Sequence, residues 1–446
     1  MQWAARLARV KSLYREEHSM PITTTRRRLL AGSAAALALP AFARAQSEAK
    51  PRITAISQWS AGSDGAAISA LGKLFEERGG VWQHNPVPGF TTEMMNKLRA
   101  QIMAGDPPAI SQLKGPEIAA WSKIAPTVDI SPWVKTAGFA DRVPAELAKS
   151  CQPAGHWIAL PLQVYRINTL FLSAKGMERA GVTKAPASWA EFNDVAEKMK
   201  AAGMIPLANG GIRWDDGMKF EIALAGISPE VYRRAIMQLD TEALKGKEVR
   251  AAFEQLRKFA NYMNPNIAAQ GWAVNLPAFV KGDMGMVLMG GWAQGNLLKA
   301  GATAADFSSG PAPQESGPPC FDLNADCFIF WKPNGADLDA GQKLFAETVM
   351  EPSTQEMYSK ITGSIPARTD VNLEATGFTD GQRNSAQNLR DAIAKDRVLL
   401  SLGHNMAQPN GMTAAMIDVL TEYVHNSAIP AAEGQKRLVA AVASAQ

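Results

Sequence analysis

Four tryptophans stand where the chain breaks from one element into the next. Trp59 ends a first apolar stretch beside Ala61-Gly62-Ser63-Asp64-Gly65. Trp214 lies in Gly210-Gly211-Ile212-Arg213-Trp214-Asp215-Asp216, Trp272 follows Gln270-Gly271, and Trp292 follows Met289-Gly290-Gly291. An indole face stacks on the apolar C–H face of a sugar ring, while Asp, Asn, Gln, Arg and Lys pair with the hydroxyls around its rim. Any one tryptophan is as readily a packed core residue. Four at element junctions, each flanked by Gly, Asp or Gln, point to a ligand cleft. Lys114, in Gln112-Leu113-Lys114-Gly115-Pro116, is delivered to a turn by a short apolar run and could donate to the same ligand or be an ordinary surface lysine. His404, in Leu402-Gly403-His404-Asn405-Met406, reads equally as a site residue or a satisfied core histidine.

Catalytic signatures are missing. The chain has no His-Glu-x-x-His, Cys-x-x-Cys, Gly-x-Ser-x-Gly or Gly-Lys-Ser/Thr pattern. Past the leader described below, His84, His156, His404 and His425 remain, none at the i, i+4 spacing of a helical metal site. No metal or cofactor is expected. Asp215-Asp216 is the conspicuous acidic pair, but adjacent residues diverge, whereas glycosidase carboxyls face each other about 5–10 Å apart. A solvated loop, or a pair of acceptors for a ligand, is the better reading.

The elements that must position these residues come from periodicity. Arg52 to Trp59 reads as a strand, and Ala67, Leu71, Leu74 and Phe75 as one helix face before Gly79-Gly80. Thr92 to Gly105 is a second helix and Ala109 to Leu113 a second strand. This mixture argues for an α/β lobe whose parallel strands present ligand-binding loops at their carboxyl ends. Helices follow at Trp189–Ala202, Pro229–Asp240, Lys247–Met263 and Leu276–Lys281. Met284–Met289 and Asp326–Trp331 are strands, Leu338–Val349 and Thr354–Ile361 helices, and the tail is mostly helical. Gly363-Ser364-Ile365-Pro366 is a tight turn.

Residues 1–45 carry Arg26-Arg27-Arg28, the apolar run Leu29 to Leu39, and Ala43-Arg44-Ala45, which together read as an export signal cleaved after Ala45. The paired arginines fit the twin-arginine route, though the general secretion route would also accept a basic n-region. Translation may start at Met1 or at Met20. Of 46 basic and 42 acidic residues, the remainder keeps 38 and 40, so the apparent positive charge belongs to the leader. With no basic run left, neither nucleic acid nor an anionic membrane is an expected partner. About 400 residues exceed one ordinary core, so two lobes are expected. Cys151, Cys320 and Cys327 read as buried and reduced, the alternative being a Cys320–Cys327 staple.

Several blocks together resemble the extracytoplasmic solute-binding proteins of carbohydrate ABC transporters, most closely their glucose- and mannose-binding subgroup. They are Trp59-x-x-Gly62-x-Asp64; Ile102-Met103-Ala104-Gly105-Asp106-Pro107-Pro108 leading to Gln112-x-Lys114-Gly115-Pro116; Phe279-Val280-x-Gly282-Asp283 through Met289-Gly290-x-Trp292; and Gly363-Ser364-Ile365-Pro366. The resemblance implies a type II periplasmic binding fold of two α/β lobes joined by three hinge crossings, near Pro161 to Val164, Ala305 to Ser308 and Met350. The lobes would be 46–163 plus 306–350 and 164–305 plus 351–446. It further implies a monomeric periplasmic protein without catalytic activity or cofactor, which closes on a carbohydrate and presents it to a membrane permease. Trp59, Lys114, Trp272, Trp292 and His404 stand at sugar-contacting positions, with Asp64 where many members have Glu; Trp214 joins them on its own context. Gln58, Gly291 and Thr362 depart from the subgroup's Trp, Asp and Lys, which points to a larger pocket and a ligand bulkier than glucose. The competing readings are a secreted glycoside-active enzyme using Asp64, Asp215 or Asp216, and a binding protein for a non-sugar solute.

Overall fold

The structure, a computed structural model, describes residues 49–88, 91–264 and 271–446. The export leader and its expected cleavage site lie outside the described residues. Among the described residues eleven strands form two sheets: β1 (Arg52–Ser57), β2 (Val81–Pro86), β3 (Ile110–Leu113), β4 (Ala159–Arg166), β5 (Thr169–Ser173), β6 (Ile205–Leu207), β7 (Met284–Met289), β8 (Phe307–Pro311), β9 (Phe321–Phe330), β10 (Ile365–Pro366) and β11 (Val398–Leu400). The first sheet runs β10-β4-β9-β3-β1-β2, with β11 paired to β9; the second runs β6-β7-β5-β8.

The first sheet is parallel only in part. β1 pairs in parallel with both β2 and β3, and the helices Gly62–Glu77 and Thr91–Met103 make the crossovers that parallel neighbours require. β3 then meets β9 antiparallel, and β9 meets β4 antiparallel. Both β4 and β9 are buried along their whole length: β4 opens as an apolar run, Ala159 to Leu162, while β9 alternates apolar and polar residues from Phe321 to Cys327 with both faces covered. The two lobes have separate cores. Phe75, Phe328, Trp331 and Phe345 anchor one, and Phe192, Phe220, Phe253 and Phe259 the other.

Several sequence expectations need correction. β2 was not expected, because its residues are polar and largely exposed on a sheet edge. β4 was hidden by Pro161, which sits at a register shift between Pro161 and Gln163 where a missing N–H is tolerated. β9 begins at Phe321 rather than Asp326. The segment expected as one helix from Pro229 to Asp240 is a turn of α-helix, Pro229–Tyr232, followed by a wider π turn, Arg233–Met237. The helix Arg213–Ile227 was missed because it is covered on nearly every side and so lacks an amphipathic stripe.

The passages between sheets also differ from the expected crossings. β4 runs to Arg166 in the first sheet and β5 begins at Thr169 in the second, so the chain passes over at residues 167–168. The second passage follows β8, between Pro311 and Phe321. The third does not lie near Met350. β10 and β11 still pair in the first sheet; the second core takes up the chain from Leu399 and Leu402 and then the helices Asn410–His425 and Ala431–Ala445.

Candidate ligand-binding site

The first lobe contributes a wall of charge and amides carried on adjacent strands. Gln163 on β4 stands directly opposite Asp326 on β9, and β3 brings Gln112 and, just past its end, Lys114 to the same place. The Lys114 ammonium lies 3.3 Å from Asp326 Oδ1, which also accepts a 2.9 Å hydrogen bond from Gln112 Nε2; Gln163 Nε2 donates to Oδ2 at 3.4 Å. Asp64, in the first turn of the helix Gly62–Glu77, accepts a 3.0 Å hydrogen bond from Tyr165 Oη on β4. Burial, reinforced by the charge of Asp326, pushes the Asp64 carboxyl up to about 7 against the pull of Tyr165, Gln163 and Lys114. Tyr358 Oη is buried near both acids, has no hydrogen-bond partner in the structure, and is held well above the usual phenol range by burial and then by Asp64 and Asp326. Trp59 packs edge-on against Phe328 at 5.6 Å and tilts toward Tyr358 at 6.1 Å. It is a covered residue of the first core in this conformation.

The second lobe contributes an aromatic wall. Trp214 opens the helix Arg213–Ile227, Trp292 opens the helix Trp292–Lys299, and His404 lies in the connection after β11. The Trp292 ring centroid lies 4.9 Å from that of His404 and 6.3 Å from that of Trp214, and Trp214 lies 5.4 Å from His404. Trp292 also meets Tyr165 edge-on at 5.2 Å, which joins the two walls. Trp272 packs against the second core with its backbone so close to Gly210 that a Cβ at residue 210 would stand 2.5 Å from the Trp272 nitrogen.

A buried carboxylate sets the position of His404. Glu221 Oε2 accepts from the Leu402 and Gly403 backbone N–H groups at 2.5 and 3.0 Å, and Oε1 accepts from Ser401 Oγ at 2.9 Å. Since Ser401 gives its proton to Glu221, its oxygen accepts from His404 Nδ1, 3.0 Å away, and Nε2 is left as an acceptor. Burial and the nearby Lys114 charge hold the imidazole well below its ordinary value, so it is neutral at neutral pH.

Of the residues expected at the site, Asp64, Lys114, Trp214, Trp292 and His404 are brought together around Tyr165 and Asp326. Asp215 and Asp216 are not a solvated loop: both are fully buried in a helix. Asp215 pairs with Lys219 at 2.5 Å and accepts from the Gly210 N–H at 2.8 Å, while Asp216 lies 3.2 Å from His425. Thr362 is also buried, donating to the Tyr358 carbonyl and sharing a hydrogen bond with Ser364, so it does not widen a pocket. Sequence reasoning missed Gln163, Tyr165, Glu221, Asp326 and Tyr358. Asp326 alone left a signal, an acid within an apolar run.

The lobes touch at the rim of this site. Lys299 Nζ donates to the Gly62 carbonyl at 2.6 Å, Asn296 bonds Ser63, and Asn410 N donates to Glu117 Oε1 at 2.8 Å. Gly115 has φ 53°, and a Cβ there would stand 2.6 Å from the Asn405 carbonyl, so glycine permits this approach of the two lobes. Between them lies a narrow recess bordered by Gln58, Gln112, Lys114, Glu117 and Asn405.

Residues 70–384 match the family described as bacterial extracellular solute-binding protein. The chain belongs to that family. This solute-binding protein is 30% identical over 418 residues to a Brucella suis protein named "Probable sugar-binding periplasmic protein", with 93% of this chain and 98% of the relative covered. A Rhizobium meliloti protein of the same name is 30% identical over 414 residues, covering 92% and 98%. Among solved structures, a chitin oligosaccharide binding protein superposes with a TM-score of 0.73 at 18% identity, over 88% of this chain and 98% of the other. The protein RafE, in complex with raffinose, gives 0.68 at 17%, over 88% and 99%. These likenesses establish the two-lobed α/β fold of this solute-binding protein. Among the described residues no helix is long and apolar enough to cross a membrane.

Proposed function

We propose that the protein is an exported periplasmic receptor that binds a carbohydrate between its lobes and delivers it to the permease of an ABC transporter, acting as a monomer and without catalysis. The observation that carries this reading is the meeting of two complementary walls. Asp64, Asp326, Lys114 and Tyr358 offer charged and neutral partners for hydroxyls, and across from them Trp214, Trp292 and His404 offer ring faces. The names of the relatives support a sugar over other solutes. Trp59 and Trp272 enter the proposal as second-line tryptophans: opening of the lobes would uncover Trp59, and Trp272 packs on the second core beside Gly210. Of the three departures from the glucose-binding pattern, Gln58 borders the interlobe recess where the pattern has an indole, and it favours a ligand bulkier than glucose.

A thermal-shift panel of monosaccharides, disaccharides, polyols and amino sugars tests the reading. A ligand at about 100 times its dissociation constant adds about 2.7 kcal/mol to the folded state. A sugar that raises the midpoint saturably, confirmed by calorimetry and recovered unchanged by product analysis, supports the proposal. Absence of a response to every sugar, with a clear response to another solute, overturns it, and cleavage of the sugar would make the protein an enzyme. Intact-mass measurement of periplasmic material should place the mature N-terminus at Gln46.

A further inference from the structure

Three cationic side chains are buried among the described residues: Lys114, Arg166 and Lys219. Two have a carboxylate, Lys114 in Asp326 at 3.3 Å and Lys219 in Asp215 at 2.5 Å. Arg166, only 2% exposed, has none. Its Nε donates to Thr169 Oγ1 at 3.1 Å and its Nη1 to Asn388 Oδ1 at 3.3 Å, both neutral acceptors, and burial lowers its pKa to about 10, which still leaves it charged at neutral pH. Asp322 does not supply the missing charge. Leu323 is the residue paired with Arg166 across β4 and β9, so Asp322 faces the opposite side of the sheet. Buried charges are ordinarily paired, because an uncompensated ion in the interior is costly.

Arg166 borders a narrow recess at the first passage between the sheets, together with Thr169, Gly291, Gln294, Ser309 and Ser385. Beside Val164, Phe171 and Ile365 the polar lining is of hydroxyls, an amide and bare backbone, and no lining residue is acidic. It gathers from both sheets, from the helix Trp292–Lys299 and from the helix Asp380–Ala394. The recess has room for a group little larger than a water, not for a sugar. We propose that the recess is a binding site for a small inorganic anion, which completes the charge of Arg166 and ties the hinge strands to the helix Asp380–Ala394. The site is separate from the interlobe recess at Lys114, so its occupation does not depend on the sugar-binding reading.

The test follows thermal unfolding of the full mature protein at constant ionic strength while chloride, or in a second series phosphate, replaces a bulky organic sulfonate. A saturable rise is expected with one of the two anions, roughly 3 °C at about 100 times its dissociation constant for a protein of this size. Arg166→Gln should lose the response. Asn388→Asp places a carboxylate where Arg166 already donates, so it should raise the midpoint without added anion and abolish the anion effect. A flat response of the native protein to both anions overturns the proposal. If Arg166→Gln does not fold, Asn388→Asp decides alone: an anion response equal to that of the native protein also overturns it.

Discussion

The two walls of the cleft are built in opposite ways. The first-lobe wall sets Lys114, Asp326, Gln112 and Gln163 on three neighbouring strands, so the hydrogen-bonded ladder fixes their spacing. The second-lobe wall draws Trp214, Trp292 and His404 from two helix starts and a connection, far apart in sequence and held by edge-on ring contacts and by Glu221. Charge inside a protein is stable only when its partner is held at bonding distance, and adjacent strands provide that. Ring contacts tolerate a wider range of angles, so they can be assembled from separate segments and can adjust as the lobes move.

The largest effect should come from the charged wall. Asp326→Ala leaves the Lys114 ammonium buried without its carboxylate, and urea denaturation should show a loss of about 3–5 kcal/mol. A loss under about 1 kcal/mol would mean that Gln112 and Gln163, not charge pairing, organise this wall. Asp64 gives the next effect. Its folded pKa of about 7 lies above the ordinary carboxyl value of 3.8, so the folded state holds the proton more tightly than the unfolded chain. That contribution is complete below about pH 4 and lost as pH rises through 7. With solvent screening allowed for, native stability should fall by about 2 kcal/mol over this window relative to Asp64→Asn. A constant difference from pH 4 to 8 would show that Asp64 titrates normally.

The aromatic wall should respond mainly in affinity. Trp292→Ala is expected to weaken the sugar that responds in the panel by about 1–3 kcal/mol, roughly ten- to hundredfold, if ring stacking on sugars resembles that on bases. Because Trp292 is almost wholly covered and touches Tyr165, stability should fall as well, and Trp292→Phe should restore most of the stability and less of the binding. Affinity unchanged in Trp292→Ala would return this tryptophan to the core. The smallest effect is expected from Ser401→Ala, which removes the hydroxyl between Glu221 and His404 and should cost about 1 kcal/mol of affinity by calorimetry. An effect as large as that of Trp292→Ala would mean that orientation of His404, not ring area, dominates the second wall.

Elements with sharp boundaries were legible: the bounds of β7, an apolar run between Asp283 and Gly290-Gly291, and of the helix Leu276–Lys281 agree with the expectation residue for residue. Legibility failed where complete burial came without such sharp boundaries. The helix Arg213–Ile227 and strand β4 present no polar face, and with Gly and Pro nearby their pattern resembles a loop. The same burial misled the reading of Asp215 and Asp216, whose partners Lys219 and His425 become partners only once the helix forms and the C-terminal helices pack on it.

The sequence alone determined the family, the two-lobed α/β class and five of the residues that gather at the cleft, because those depend on local chemistry: which residues break an element, and which side chains can stack or donate. Only the tertiary structure decided which charges are paired, where the chain passes between lobes, and that Arg166 has no carboxylate partner among the described residues. Those outcomes depend on strand order and on neighbours as distant in sequence as Lys114 and Asp326. Electrostatic balance is a property of the assembled interior, where low dielectric makes each pairing, or its absence, count.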